Sequence, residues 1–459
     1  MANISEVLKT AKRIHFIGIG GSGMCPLAEI LHAKGYSLQG SDNNESSIVE
    51  RIRALGIPVM MGQKAENIEG ADMIVYSAAI MEDNPELVAA LKSGIPTFKR
   101  AELFGEVTRH FSNCIGICGT HGKTTTTSMT VQAMLAAGLD PSAVIGGKLP
   151  LTDSYGRVGK SENAVVEACE YVDTFLYLYP NVSVILNVDE DHMEYFKTMD
   201  NLILSFHKFA MLAKSAVIYN GDDENTLKAI EGVSGKDMIS FGFSHDNDYY
   251  ADNIKEVNGA YSEFDLIYKT KNLGRISLSV PGKHNILNAM AAIASAIYSD
   301  AKFEDCVSGI ESFKGAGRRF EYLGKYKGVD IIDDYAHHPA ELRVTLEAAM
   351  KLGYKTVWAV FQPFTYSRTA MHFDEFVEVL KIADKCVMTE IMGSREVNTY
   401  NIYTSQLAEK IPGSVWFESQ PELADYVAAN VKEGDLVITL GCGDIYKSAH
   451  MIIEKLKAE

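Results

Sequence analysis

Apolar residues in this chain fall into two recurring patterns: short uninterrupted runs, and longer stretches where they return every third or fourth position. The first predicts strands buried on both faces, the second amphipathic helices. Residues 14–19 (IHFIGI) read as such a strand, followed by a glycine turn and a helix over 24–33. Residues 73–77 (MIVYS) predict another strand and 84–93 a helix. A second stretch opens with a strand at 114–118 (CIGIC) and a helix over 126–137, with further strands at 164–167, 182–187 and 215–219. Residues 246–280 alternate over short runs and predict more strand, whereas 285–298 (NILNAMAAIASAIY) predict a long helix. From about residue 320 the alternation resumes, with strands at 329–332, 356–360, 385–389 and 436–440 and helices at 339–350 and 373–382. Strands alternating with helices imply right-handed crossovers, hence an α/β protein built on parallel sheets.

Length turns this pattern into domains. At 459 residues, and about 150 residues per domain, the chain is expected to form about three, at 1–109, 110–320 and 321–459. A hydrophobic share of 47% and a charged share of 22% place it among globular proteins. The net charge of −17 opposes nucleic-acid backbones and anionic membrane surfaces as partners, while leaving room for a local basic pocket around a phosphorylated small molecule. No apolar run reaches the ~18 residues of a membrane span. The N-terminal MANISEVLKTAKRI lacks the apolar core and cleavage site of a secretory signal. The seven cysteines are odd in number and never form C-x-x-C, which fits a reducing cytoplasm better than a disulfide framework or a zinc site.

Candidate chemistry concentrates where predicted strands end. Gly18-Ile19-Gly20-Gly21-Ser22-Gly23 lies between a strand and a helix, where glycines allow close backbone approach and free N–H groups attract a diphosphate. Asp42 follows at the spacing of a ribose ligand; a purely structural glycine turn is the alternative. Gly119-Thr120-His121-Gly122-Lys123-Thr124-Thr125 is a phosphate loop that predicts ATP binding. Its amides would wrap phosphate oxygens, Lys123 would neutralise the terminal phosphates and the Thr124 hydroxyl would ligate Mg²⁺. Ile117 stands at the first glycine position of the strict pattern.

Other strand ends carry polar clusters with two readings each. Glu170 and His192 are candidate ligands of a hard cation, or members of solvated acidic turns. Asn285 and Asn288 share a helix face and suit a purine edge, although on residue type alone a helix cap is the preferred reading. Arg318 and Arg319 could reach a transferring phosphate or form an exposed structural pair. Asp333-Asp334-Tyr335-Ala336-His337-His338 is far richer in chemistry than a turn requires, and Arg368 in the loop after residue 360 suits a carboxylate. Cys442 has no visible base beside it and reads as incidental.

Taken in order, HFIGIGGSGM, GTHGKTTT, EACEY, NVDEDHMEYF, GKHNILNA, GRRFEYLG, DDYAHHPAEL, FQPFTYSRT and GCGDIYK resemble the Mur ligase family over essentially the whole chain. GTHGKTTT is similar to the wider family. HFIGIGGSGM with DDYAHHP and the FQPFTYSRT segment is similar to the branch that attaches the first amino acid.

The resemblance implies a cytoplasmic enzyme of peptidoglycan precursor synthesis. It would join L-alanine to UDP-N-acetylmuramate with ATP and Mg²⁺ through an acyl phosphate, acting as a monomer or homodimer. It also implies a Rossmann-like N-terminal domain for the UDP-sugar, a central P-loop ATPase-like domain, and a C-terminal Rossmann-like domain contacting the amino acid and ATP. Gly18, Gly20, Gly21, Ser22, Gly23 and Asp42 would then hold the uridine diphosphate, and Lys123 the terminal phosphates. Thr124, Glu170 and His192 would be metal ligands. Asn285 and Asn288 would face adenine, reversing the cap reading, with Arg319 on phosphate and Asp334 on the ATP ribose. Tyr335, His337 and Arg368 would line the alanine and muramoyl end. Many relatives carry histidine and arginine where this chain has Phe364 and Thr365, which shifts the amino-acid carboxylate onto Arg368. EACEY replaces the commoner E-A-D-E-S. Rival expectations are a ligase recycling a whole tripeptide onto the same nucleotide sugar, a nicotinamide-dependent oxidoreductase resting on Gly18–Gly23, and a non-catalytic regulator of the same fold. The oxidoreductase leaves GTHGKTTT, Glu170 and His192 unexplained.

Overall fold

The predicted alternation folds into three sheets. The computed structural model describes residues 3–149, 151–152, 154–257, 259–394 and 396–458. Its first sheet holds β1 (Arg13–Ile17), β2 (Ser37–Asp42), β3 (Val59–Met61), β4 (Met73–Tyr76) and β5 (Thr97–Lys99), in the order β3-β2-β1-β4-β5 and all parallel. Helices α1 (Ile4–Thr10), α2 (Cys25–Ala33), α3 (Ser47–Ala54), α4 (Pro85–Ser93) and α5 (Arg100–Arg109) cover it. Burial of Ile14, His15, Phe16 and Ile17 explains the unbroken run in β1. The strand ends at Ile17 because Gly18 turns the chain with φ +81°. Asn84 starts α4 by accepting from the N–H groups of Glu86 and Leu87, with Pro85 as the first helical residue.

The second sheet contains β6 (Asn113–Cys118), β7 (Ser142–Leu149), β8 (Ser154–Arg157), β9 (Asn163–Glu167), β10 (Val182–Ile185), β11 (Ala216–Asn220), β12 (Asp237–Gly242), β13 (Tyr249–Val257), β14 (Tyr261–Tyr268) and β15 (Lys271–Ser277). Their order is β15-β14-β13-β12-β11-β10-β6-β9-β7-β8. β6 lies parallel to both β9 and β10 and leads into α6 (Lys123–Ala136). β8 runs antiparallel to β7, an addition to the parallel sheet expected, since the short link between them leaves no room for a crossover.

The third sheet holds β16 (Glu321–Tyr326), β17 (Val329–Asp334), β18 (Val357–Phe361), β19 (Lys385–Thr389), β20 (Val415–Phe417) and β21 (Leu436–Leu440), in the order β16-β17-β21-β18-β19-β20. Only β16 is antiparallel to its neighbour, joined to β17 through Lys327 and Gly328 at φ +50° and +79°, the signature of a two-residue hairpin turn. Its half-exposed EYLGKY carries no apolar run, so periodicity did not predict it.

By contact the chain divides into two units: Met1–Asn253 with Asp265–Ile276 and Leu287–Phe313, and Ile254–Phe264 with Ser277–Ile286 and Lys314–Glu459. The first sheet and the helix-covered part of the second share the first unit and one continuous core, from Leu8 to Val233. Close approach binds them: a Cβ on Gly105 of α5 would lie 2.1 Å from the Tyr177 carbonyl oxygen, and one on Gly156 of β8 2.5 Å from Pro26 of α2. Among the described residues no helix is long and apolar enough to cross a membrane. All seven cysteines are free.

Candidate active site

β6 delivers the chain to the phosphate loop between its two parallel neighbours, where open α/β sheets bind ligands. Gly119 has φ +148° and a Cβ there would meet Leu186 at 2.8 Å; Gly122 has φ +84° and would meet Asn288 Oδ1 at 2.6 Å. α6 starts directly after Gly122 with no side-chain cap, three residues earlier than the spacing predicts, so its first N–H groups face the loop. The end of β10 pins the loop from below. Thr120 N donates to Asn187 O at 3.1 Å, His121 N to Asn187 Oδ1 at 2.8 Å, and Asp189 N to Thr120 Oγ1 at 2.8 Å. Thr125 remains half-buried on the first turn.

Lys123 Nζ donates to the carbonyls of Gly119 and Thr120 at 2.5 and 3.1 Å and to Glu170 Oε1 at 3.0 Å. Burial by itself would lower its pKa, but Glu170, Cys169 and Glu167 outweigh that and hold the ammonium well above the ordinary lysine range. Thr124 Oγ1 donates to Glu167 Oε2 at 2.9 Å, and the same carboxylate accepts from Gly146 N at 2.7 Å. Glu167 was missed in the sequence, although its place at the end of β9, three residues before Glu170, was a signal.

Glu170 is buried; its Oε2 lies 3.0 Å from Lys123 Nζ yet is an acceptor without a hydrogen bond. Such an orphaned carboxylate oxygen fits a hard cation. His192 begins a short helix at φ +55°, its ring 4.5 Å from that of Tyr171, the residue after Glu170. Its Nδ1 is 3.4 Å from Glu194 Oε1 and its Nε2 3.7 Å from Asp191 Oδ2. Val172 and Asp173 both adopt left-handed backbone, and Asp173 accepts from the Tyr195 and Ser205 hydroxyls. Backbone strain of this kind persists where surrounding contacts over-determine it. The described residues contain no cluster of three or more His, Cys, Asp or Glu able to hold a metal by themselves. Magnesium is more often held by one or two carboxylates with water and phosphate oxygens.

The first glycine cluster borders a cavity of 690 Å³ lined by Gly18, Gly20, Gly21, Asp42, Ser77 and Asn84 among others. Asp42 Oδ2 accepts from Gly20 N at 2.9 Å and its Oδ1 from Asn44 N at 3.0 Å. A Cβ on Gly20 would meet that carboxylate at 2.8 Å and Val49 at 2.7 Å, so only glycine fits. Ser22 is exposed, and Gly23 lies against Arg100. In the sheet's core, the fully buried His15 Nε2 contacts Glu86 Oε1 at 2.6 Å and Ser41 Oγ donates to Glu86 Oε2 at 2.7 Å. In the sequence, IHFIGI marks His15 only as one residue of a buried strand.

The two asparagines start from one helix, His284–Tyr298, and make different contacts. Both lie inside it, which corrects the cap reading. Asn288 Oδ1 accepts from Thr126 Oγ1 of α6 at 3.1 Å, and Asn285 Nδ2 donates to Pro281 O at 2.7 Å.

In the second unit the arginine pair also splits. Arg318 is half-buried and structural, bonded to Asp333 Oδ2 at 2.9 Å and to the carbonyls of Gly441 and Gly443 at 2.5 and 2.9 Å. The Arg319 guanidinium has no hydrogen-bond acceptor among the described residues and lies 4.8 Å from the Tyr335 ring. Asp334 accepts from Phe320 N at 2.7 Å and Ala336 N at 2.8 Å. Burial pushes its pKa up to about 6, against the opposing pull of Arg319 and those two amides. His337 Nδ1 lies 3.1 Å from Tyr335 O and 3.2 Å from Glu341 Oε2, with Phe364 beside its ring. Arg368 acts on the Cys442 thiol, which burial pushes up to about 12 and so away from nucleophilic use. β17, β18 and β21 run parallel, so these loops share one end of the sheet.

Three family models match the chain in sequence: "Mur ligase family, catalytic domain" over 13–112, "Mur ligase middle domain" over 117–296 and "Mur ligase, glutamate ligase domain" over 318–443. UDP-N-acetylmuramate–L-alanine ligase of Caldanaerobacter subterraneus is 41% identical over 98% of this chain and 99% of its own. The protein of that name from Agathobacter rectalis is 42% identical, covering 96% and 98%. Among solved structures, the UDP-N-acetylmuramate-alanine ligase of Thermotoga maritima superposes with TM-score 0.84 at 26% identity, over 97% of this chain and 99% of that one. A murein peptide ligase of Psychrobacter arcticus shares the fold with TM-score 0.75 at 22% identity, over 97% and 98%. With a phosphate loop, a glycine-bordered cavity and matching relatives along nearly its whole length, the chain belongs to the Mur ligase family.

Proposed function

We propose that this protein joins L-alanine to UDP-N-acetylmuramate, with conversion of ATP to ADP and phosphate, in the first peptide step of cytoplasmic peptidoglycan precursor synthesis. The observation that carries the reading is Lys123, held on the loop carbonyls and paired with Glu170 where a terminal phosphate would lie. The sequence relatives named for this reaction support the choice of substrates.

A carboxylate is a poor acceptor for an amine. In the proposed reaction the lactyl carboxylate oxygen attacks the terminal phosphorus of ATP, ADP departs, and the amine of L-alanine then attacks the acyl carbon. The tetrahedral intermediate expels phosphate as the nitrogen loses its proton. Such chemistry needs placement and charge neutralisation more than covalent catalysis. Lys123 and the amides of Gly119 to Thr125 hold the phosphates. Arg319, without an acceptor among the described residues, neutralises the transferring group, and Asn285, Asn288 and Asp334 frame the nucleoside. Thr124, Glu170 and His192 would hold Mg²⁺, which supplies charge neutralisation on the phosphoryl oxygens. The cluster from Gly18 to Gly23 with Asp42 takes the uridine diphosphate, and Tyr335, His337 and Arg368 the amino-acid end. These groups correspond to domains 1–109, 110–320 and 321–459.

Phosphate release measured with UDP-N-acetylmuramate and each of L-alanine, glycine, L-serine and tripeptide tests the reading. Turnover is expected with L-alanine. Turnover with tripeptide and none with L-alanine would overturn it, and tight NADH binding would argue for an oxidoreductase.

A further inference from the structure

Arg100, the first residue of α5, makes no hydrogen bond or ion pair with any described residue, although the chain carries 60 acidic side chains. Its guanidinium lies against the last glycine of the first cluster: a Cβ on Gly23 would sit 3.1 Å from Nη1 and 3.3 Å from Cζ. The titratable neighbour acting on it is the Cys169 thiol, next to Glu170, and burial lowers its pKa. Arg100 is half-buried, and a partly desolvated cation without a counter-ion is stabilised by an anion that completes it.

A second observation points to the same place. α2 begins two residues after Gly23 with no side-chain cap, and the N–H groups of Ser22 and Gly23 donate to no described acceptor. The cavity of 690 Å³ is lined by Gly18, Gly20 and Gly21 of the same cluster, and Arg100 lies against its last glycine, Gly23. A ligand with its nucleoside in that cavity would have its next charged group beside the same glycine cluster.

We propose that Arg100 is the counter-charge for the diphosphate of the nucleotide-sugar substrate, which it holds together with the uncapped N-terminus of α2. This rests on the reading of the first glycine cluster as the nucleotide-sugar site. A guanidinium fork matches two phosphate oxygens, which a lysine at this position would contact only as a point charge. Gly23 lets the fork lie close, because a Cβ there would push it back by a few tenths of an ångström.

Calorimetry on wild type, Arg100→Ala and Arg100→Lys tests this, with UDP, UDP-N-acetylmuramate and AMP-PNP with magnesium as ligands. Arg100→Ala is expected to weaken UDP and UDP-N-acetylmuramate alike by about tenfold or more, Arg100→Lys to recover part of the loss, and AMP-PNP to bind unchanged. Unaltered UDP affinity overturns the proposal. So does a loss confined to UDP-N-acetylmuramate, which would put Arg100 on the acid end. If Arg100→Ala also loses AMP-PNP, Arg100→Lys decides: weakened UDP with intact AMP-PNP supports the assignment, and unchanged UDP overturns it. A wild type that binds neither uridine ligand would overturn the nucleotide-sugar reading itself.

Discussion

Lys123 and Glu170 are paired at 3.0 Å, while the same ammonium holds the carbonyls of Gly119 and Thr120. The lysine thus ties the loop after β6 to the segment after β9, and a terminal phosphate entering the loop must share it with Glu170.

Lys123→Ala is expected to lower the phosphate-release rate by about 10²–10³-fold, the cost of one well-placed charge donor. UDP-N-acetylmuramate affinity, measured by calorimetry, should stay within about twofold, because the site proposed for it is built at the ends of β1 and β2. Loss of both would refute two separate nucleotide sites.

Glu167→Gln keeps the shape that receives Thr124 and Gly146 but removes a charge from beside Lys123. The expected result is a higher magnesium requirement in steady-state assays and a fall in kcat of about tenfold or more, with little change in melting temperature. An unchanged magnesium dependence would reduce Glu167 to a packing role.

Gly122→Ala forces a side chain into φ +84° and towards Asn288 Oδ1 at 2.6 Å. Denaturant titration should show a loss of about 1–3 kcal/mol, and ATP affinity should fall while UDP-N-acetylmuramate still binds. Wild-type ATP affinity in this variant would mean that the loop is not held in the observed conformation.

Asp334 makes a pH-dependent contribution with a definite sign. Its folded pKa is raised to about 6 from 3.8, so between these values the folded chain holds a proton that the unfolded chain has released. The stabilising share is therefore complete below about pH 4 and lost as pH rises through about 6. Urea titrations of wild type and Asp334→Asn at several pH values should show wild type losing about 2–3 kcal/mol relative to the variant between pH 4 and 7. A difference independent of pH would mean that the carboxyl is not buried in solution.

Much of the fold is legible in the order of residues alone. Runs such as IHFIGI, CIGIC and the segment of β21 mark strands buried on both faces, because such strands have no polar side to interrupt them. β2, with the sequence SLQGSD, gave no such signal; its Gly40 is there to admit Ile19, whose side chain lies 2.7 Å from where a Cβ would be.

What the sequence determined by itself is local: where strands end, where glycines permit left-handed turns, and which charged residues collect at those ends. These follow from the chemistry of neighbouring residues. Only the tertiary structure decided which similar residues part ways. Arg318 is spent on the carbonyls after β21 while Arg319 lies against the Tyr335 ring, and Asn288 bonds Thr126 while Asn285 bonds Pro281. Glu167 reaches Thr124 across 43 positions, and Arg100 reaches Gly23 across a far longer stretch of chain. Hydrogen-bond and charge partners are set by which strand ends the sheets bring side by side, and strand order is a property of the packed whole.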